Sequence, residues 1–207
     1  MQRSIERLRV AIIATSASIV IGSYCNAVIA VEKPVAELKG HTGSVASIAY
    51  SPDGKLLATA SADKSIKLWG SSGRESKERA MLLGHLEEVS SIAFSPNGKL
   101  LASGGADKSV RLWDPASGRE LAVLKGHEIA VSTLVFSPDG KTLATASLNL
   151  RESYRSEVKL WEIEGATAKE RTTLPEAHNV RSITFSPDGK TLAYGSGDIK
   201  LWDITHD

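Results

Sequence analysis

The chain has 207 residues, 42% of them hydrophobic and 24% charged, an ordinary balance for a soluble globular protein. Its formal charge is +1 and it contains no polybasic run, which excludes the clustered basic footprint that nucleic-acid binding needs. Nothing global steers it toward an anionic membrane surface either.

The first element in chain order is an export signal. Arg3, Arg7 and Arg9 precede an apolar stretch from Val10 to Ile21, and small residues follow, ending in Val28-Ile29-Ala30. A short positive region, an apolar region and a small-residue end predict a secretory signal peptide over residues 1–30. Val28 and Ala30 suit the positions three and one before the cut, so the mature domain is expected to span 31–207. The alternative is an uncleaved membrane anchor over residues 10–31, which reaches the length of a span but is diluted by Thr15, Ser16, Ser18, Ser23 and Asn26. A lipid anchor on Cys25 is disfavoured by the bulky Tyr24 before it. Cleavage would remove Cys25, the only cysteine, and leave a disulfide-free exported domain of formal charge −1.

The rest of the chain repeats. Val35-Ala36-Glu37-Leu38-Lys39 is strand-like and runs into Gly40-His41. Val45 to Tyr50 predicts a strand, Ser51-Pro52-Asp53-Gly54 a turn, Leu56 to Ser61 a second strand, and a third begins at Ile66 and Leu68 before Trp69. In the turns Pro sets φ, Asp or Asn suits the third position, and Gly takes the left-handed conformation that reverses the chain. The turn recurs at Ser95-Pro96-Asn97-Gly98, Ser137-Pro138-Asp139-Gly140 and Ser186-Pro187-Asp188-Gly189. Gly84-His85, Gly126-His127 and Ala177-His178 recur upstream, and segments such as Glu120 to Lys125 give a fourth strand. The tryptophans at 69, 113, 161 and 202 each follow Lys/Arg-Leu at intervals of 44, 48 and 41 residues.

With Asp-Lys-Ser-Val-Arg-Leu-Trp-Asp at 107–114, this pattern resembles the WD40 repeat family, in four copies at about 35–69, 79–113, 120–161 and 170–203. The resemblance implies an all-β fold, a β-propeller of four blades with four antiparallel strands each, labelled a to d from the channel outward. Each family repeat reads d, Gly-His, a, turn, b, c. Residues 35–39 then form a lone d strand, and the last blade, ending in the strand of Trp202, lacks one. The expectation is a closed ring in which the N-terminal strand joins the last blade and removes free sheet edges. The alternative is an open half-ring, two chains of which associate into eight blades.

The resemblance also implies a hydrogen-bonded tetrad in each blade: His41, Thr59, Asp63 and Trp69 in the first, His85, Ser103, Asp107 and Trp113 in the second. Blade three keeps His127, Thr145 and Trp161, with Asn149 or Arg155 at the Asp position and six extra residues in its b–c loop. Blade four keeps Trp202 but has Tyr194 for the Ser/Thr, and His178 and Asp198 are each displaced by two residues. A metal or catalytic reading of these histidines is disfavoured, because repeats about 44 residues apart put them in different blades while metal ligands must converge on one ion. No metal, cofactor or catalytic residue is predicted.

The d–a and b–c loops share one rim, and the candidate partner-binding residues lie there: Arg151, Tyr154 and Arg155 in the enlarged loop, Lys64 and Lys108 in b–c turns, and Glu87, Glu88 and Glu128 beside Leu86 and Ile129 in d–a loops. An aromatic between guanidiniums is a hot-spot composition. The chain carries no P-loop, nucleophile elbow, dinucleotide fingerprint or zinc spacing. The expected function is therefore a non-catalytic scaffold for a protein or peptide partner outside the cytoplasm, touching a membrane only if residues 10–31 stay uncleaved. A glycan-active enzyme is the remote alternative, since Glu87 and Glu88 are adjacent rather than opposed across a cleft.

Overall fold

In the computed structural model the described residues are 34, 36–71, 76–148, 156–177, 180–196 and 198–205. The expected signal peptide, Asn149, Arg151, Tyr154, Arg155 and His178 lie outside them. The chain divides into residues 1–34 and 35–207, and every strand belongs to the second unit. No helix among the described residues is long and apolar enough to cross a membrane.

The unit is built of four antiparallel sheets, each formed from consecutive strands. Sheet one comprises β1 (Val45–Tyr50), β2 (Leu56–Ser61), β3 (Ser65–Gly70) and β4 (Glu78–Leu83). Sheet two comprises β5 (Val89–Phe94), β6 (Leu101–Gly105), β7 (Val110–Asp114) and β8 (Arg119–Leu124). Sheet three comprises β9 (Val131–Phe136), β10 (Thr142–Ser147), β11 (Ser156–Glu164) and β12 (Thr167–Ala177). Sheet four has three strands, β13 (Ile183–Phe185), β14 (Thr191–Ser196) and β15 (Asp198–Asp203).

The turn between first and second strands is the same object four times. Gly54, Gly98, Gly140 and Gly189 hold φ between +69° and +72°, which the missing Cβ permits. In the first turn the Gly54 amide donates to Ser51 O (2.8 Å), the Ser51 hydroxyl donates to Asp53 Oδ1 (2.7 Å), and the Leu56 amide donates to Ser51 Oγ (2.9 Å). The hydroxyl thus satisfies the strand end that the reversal leaves open.

The core lies between sheets. Ala58, Ala60, Ile66, Leu68 and Leu82 of sheet one enclose Val89, Ile92, Leu101 and Trp113 of sheet two. Equivalent clusters join sheets two and three and sheets three and four. Small residues on second strands, such as Ala-Thr-Ala in β2 and β10, let successive sheets approach closely, so these strands are buried on both faces. Each fully buried Leu, Ile or Val contributes roughly 1.5–3 kcal/mol, and the shared clusters therefore dominate stability.

One expectation is corrected. The fourth sheet has three strands among the described residues rather than four, and residues 36–39 of the segment 35–39 read as its closing strand lie in no strand. Among the described residues the four sheets are separate and no closed sheet is formed. Of that segment only Leu38 is even half-buried, and Glu37 and Lys39 pair with each other in solvent (3.3 Å). So short a segment buries too little to offset the cost of ordering it. Each sheet stacks on its predecessor in sequence: β5 on β1, β9 on β5, β13 on β9.

Candidate functional site

The polar residues that recur in the repeats meet inside each sheet. In sheet one the Trp69 indole N–H donates to Thr59 Oγ1 (2.9 Å), and the Thr59 hydroxyl lies 2.7 Å from His41 Nε2. His41 Nδ1 in turn lies 2.9 Å from Asp63 Oδ2. The indole N–H donates to the hydroxyl, and the imidazole bridges the hydroxyl and the carboxylate through its two nitrogens. Sheet two repeats the chain through Trp113, Ser103 and His85 (2.8 Å at each contact) to Asp107 (3.0 Å).

The carboxylates do more than orient a ring. Asp63 also accepts from the amides of Thr42 (2.9 Å) and Ser65 (3.0 Å) and from the Ser65 hydroxyl (2.6 Å). Asp107 does the same with Leu86, Ser109 and the Ser109 hydroxyl. Burial raises the Asp107 carboxyl, but these donors outweigh it and lower its pKa to about 2. Asp63 is lowered in the same way. Burial also depresses His85, against the pull of Asp107, and depresses His127 to about 4, where the Lys159 charge adds to the effect. Each network therefore ties the loop before its first strand to the turn between its second and third. Ser65 and Ser109, two residues after each Asp, were missed by the sequence reading although the repeated Asp-Lys-Ser was visible.

Sheet three departs from the pattern. Trp161 and His127 both meet Thr145 (2.8 and 2.7 Å), but the carboxylate beside His127 Nδ1 is Glu157, at 3.3 Å and out of hydrogen-bond geometry. Glu157 stands four residues before Trp161, where Asp63 and Asp107 stand six before theirs. Its longer side chain reaches back to the loop, accepting from the Glu128 amide (3.4 Å), while its own amide donates to Ser147 Oγ (2.8 Å). In sheet four Tyr194 stacks on Trp202 (6.4 Å, 13°), and Asp198 is exposed. Tyr194 Oη and Trp202 Nε1 are buried and find no partner among the described residues.

A second repeated pair escaped the sequence reading altogether. The cation two residues before each of the first three tryptophans meets a Glu on the next strand: Lys67 with Glu78 (2.6 Å), Arg111 with Glu120, and Lys159 with Glu170 (3.0 Å). These ions explain the glycine before the histidine. A Cβ on Gly84 would stand 2.8 Å from both Arg111 Nη1 and Glu120 Oε2. The visible signal was the Lys/Arg-Leu-Trp triplet, which had been read only as strand.

The rim residues come together only in part. Lys64 Nζ donates to Leu86 O (2.8 Å) and lies 3.3 Å from Glu87, which sets the turn of sheet one beside the loop of sheet two. Lys64 and Lys108 hold left-handed φ of 71° and 67°, costly for a side chain with a Cβ. Leu86, Glu87, Glu88 and Glu128 are exposed on the same rim. On the opposite rim, turns 95–100 and 139–141 border an open cleft of about 510 Å³ in which Lys99, Lys141, Asp114 and Asp139 mix both signs of charge. Among the described residues no three His, Cys, Asp or Glu gather in a group that could hold a metal ion.

A family model described as WD domain, G-beta repeat matches residues 32–70, 76–114, 118–162 and 169–203. The chain is 49% identical over 45 residues to "Ribosome assembly protein 4" of Saccharomyces cerevisiae, covering 22% of this chain and 8% of that protein. It is 51% identical over 35 residues to "Protein Mut11" of Chlamydomonas reinhardtii, covering 17% of this chain and 10% of that protein. It is 51% identical over 39 residues to "Ribosome assembly protein 4" of Chaetomium thermophilum, covering 19% and 8%. The chain therefore spans about a tenth or less of each of these relatives, roughly the length of one repeat.

Proposed function

We propose that this chain, which belongs to the WD40 repeat family, is a non-catalytic scaffold that binds a protein or peptide partner outside the cytoplasm. One observation carries the scaffold reading. The histidine and aspartate of the networks in sheets one and two are spent on each other inside each sheet, while the rim above them is left to solvent. Groups locked into internal bonds brace a surface rather than attack a substrate. The partner-facing surface is the rim of Lys64, Leu86, Glu87, Glu88, Lys108 and Glu128; Arg151, Tyr154 and Arg155 are assigned to it from the sequence alone and lie outside the described residues. Leu86, 72% exposed beside an ion pair, is an apolar anchor ringed by charge.

The sheets are read as blades of a propeller and the rim as one of its two faces. Export rests on the composition of residues 1–30. The names of the relatives attach to one-repeat matches, so they support the repeat and carry no partner across.

The test is affinity capture with the wild-type chain, with Leu86→Asp plus Lys64→Glu on the proposed rim, and with Lys99→Glu plus Lys141→Glu on the other. The same captured protein should be lost with the first pair and kept with the second. Capture that survives the first pair and fails with the second would move binding to the turn rim and overturn the assignment.

A further inference from the structure

Three times within this chain one sheet is sealed by the next through the same two half-surfaces. The front half-surface is the inward face of a first strand. At the Ile48 position the later sheets carry Ile92, Leu134 and Ile183, none more than 7% exposed, whereas Ile48 itself is 63% exposed. At the Tyr50 position Phe136 and Phe185 are at most 9% exposed, and Tyr50 is 62% exposed. The back half-surface is the face of a third strand. At the Leu201 position the earlier sheets carry Leu68, Leu112 and Leu160, none more than 1% exposed, whereas Leu201 is 70% exposed. Ile199 is 79% exposed, against 0% for Ile66, Val110 and Val158. Sheet one and sheet four thus present the two complementary halves of an interface that the chain builds three times internally.

We propose that these two faces bind each other between two copies of this chain, head to tail, so that two equivalent joints close a ring of eight sheets. The occupant is argued from continuity. What seals a front face elsewhere among the described residues is a back face of the same sequence pattern, and the back face left exposed there is that of sheet four. A single chain exposes both faces at once. A heterologous contact of this kind closes when its rotation divides the circle, and eight blades is within the range of known propellers.

The leading segment completes the joint. β4 precedes Gly84 and β8 precedes Gly126, yet each belongs to the sheet before that glycine. Residues 36–39 precede Gly40 in the same way, and Leu38 stands two residues before it as Leu82 and Leu124 stand before theirs. The sheet before β1 is then the fourth sheet of the second copy, in which β15 stands last in the three-stranded order among the described residues. Residues 36–39 add to that edge as its fourth strand.

The experiment is light scattering of the full chain at micromolar concentration, with Ile48→Asp, with Leu201→Asp, and with the two variants mixed. Wild type should scatter at twice the chain mass and each variant at the chain mass. The mixture should recover the doubled mass, because one unaltered front face meets one unaltered back face. Both positions are exposed in the single chain, so circular dichroism of the variants should match wild type. A wild type at the single-chain mass overturns the proposal whatever the variants do, and so does a dimer that survives both substitutions. The rim assignment is untouched by either result, since it involves neither face.

Discussion

Asp107 shows how much one side chain can be asked to hold. It accepts from His85, from the Leu86 and Ser109 amides and from the Ser109 hydroxyl, joining two loops that share no strand. Asp107→Ala should cost about 2–4 kcal/mol in denaturant unfolding, because buried donors lose their acceptor together. An unchanged midpoint would mean that these bonds hold nothing. His85 and His127 add a pH dependence whose sign follows from burial, which lowers both. With His127 at about 4 in the folded protein and near 6.5 unfolded, the unfolded chain takes the proton first. Its contribution, about 3 kcal/mol, is complete above pH 6.5 and is lost as pH falls toward 4. Asp63 and Asp107, depressed in the fold, hold their contribution above the ordinary carboxylate range and lose it below. Thermal melts should therefore fall in two steps, and His127→Asn should remove most of the upper one. A melting temperature flat from pH 7 to 5 would refute this. At this scale His, Ser/Thr, Asp and Trp were legible because the first two repeats display all four in register. Glu157 was not, because a six-residue insertion moves the carboxylate off its counted position and only side-chain length restores its reach.

At the scale of elements, the reversals were the most readable feature, since their chemistry is local. Val45–Tyr50 and Leu56–Ser61 coincide with β1 and β2, and the turn between them needs nothing from outside. Gly98→Ala tests this. A Cβ there would lie 3.5 Å from Pro52, an ordinary contact, so the cost should be that of a left-handed alanine alone, about 1 kcal/mol by thermal unfolding. A loss several times larger would show that adjacent turns are wedged against each other. The pairs of buried Lys67 and Lys159 with exposed Glu78 and Glu170 were invisible in the sequence for the opposite reason. Their partners sit 11 residues apart across a loop, and nothing local marks a lysine as buried.

For the whole molecule, the stacking of four sheets followed from the repeat, but closure did not. Repetition says which surfaces match and leaves open which copies meet. Sheet four is the least supported: three strands, two buried polar atoms without partners among the described residues, and a third strand whose apolar face is open to water. In hydrogen–deuterium exchange the amides of β13 and β14 should therefore exchange ahead of those in β9 and β10. Equal protection in the single-chain state would show that some contact outside the described residues braces that sheet.

Among the described residues each hydrophobic cluster is owned jointly by two consecutive sheets. An architecture of that kind has no natural length. Excising one internal unit would bring Ala58, Ile66 and Leu68 against Val131, Leu134 and Phe136, a like-for-like exchange for the neighbours they have now. Recombination in the connecting loops can lengthen or shorten such a chain without rebuilding any interior. What limits it is only the number of units that brings the last one round to face the first.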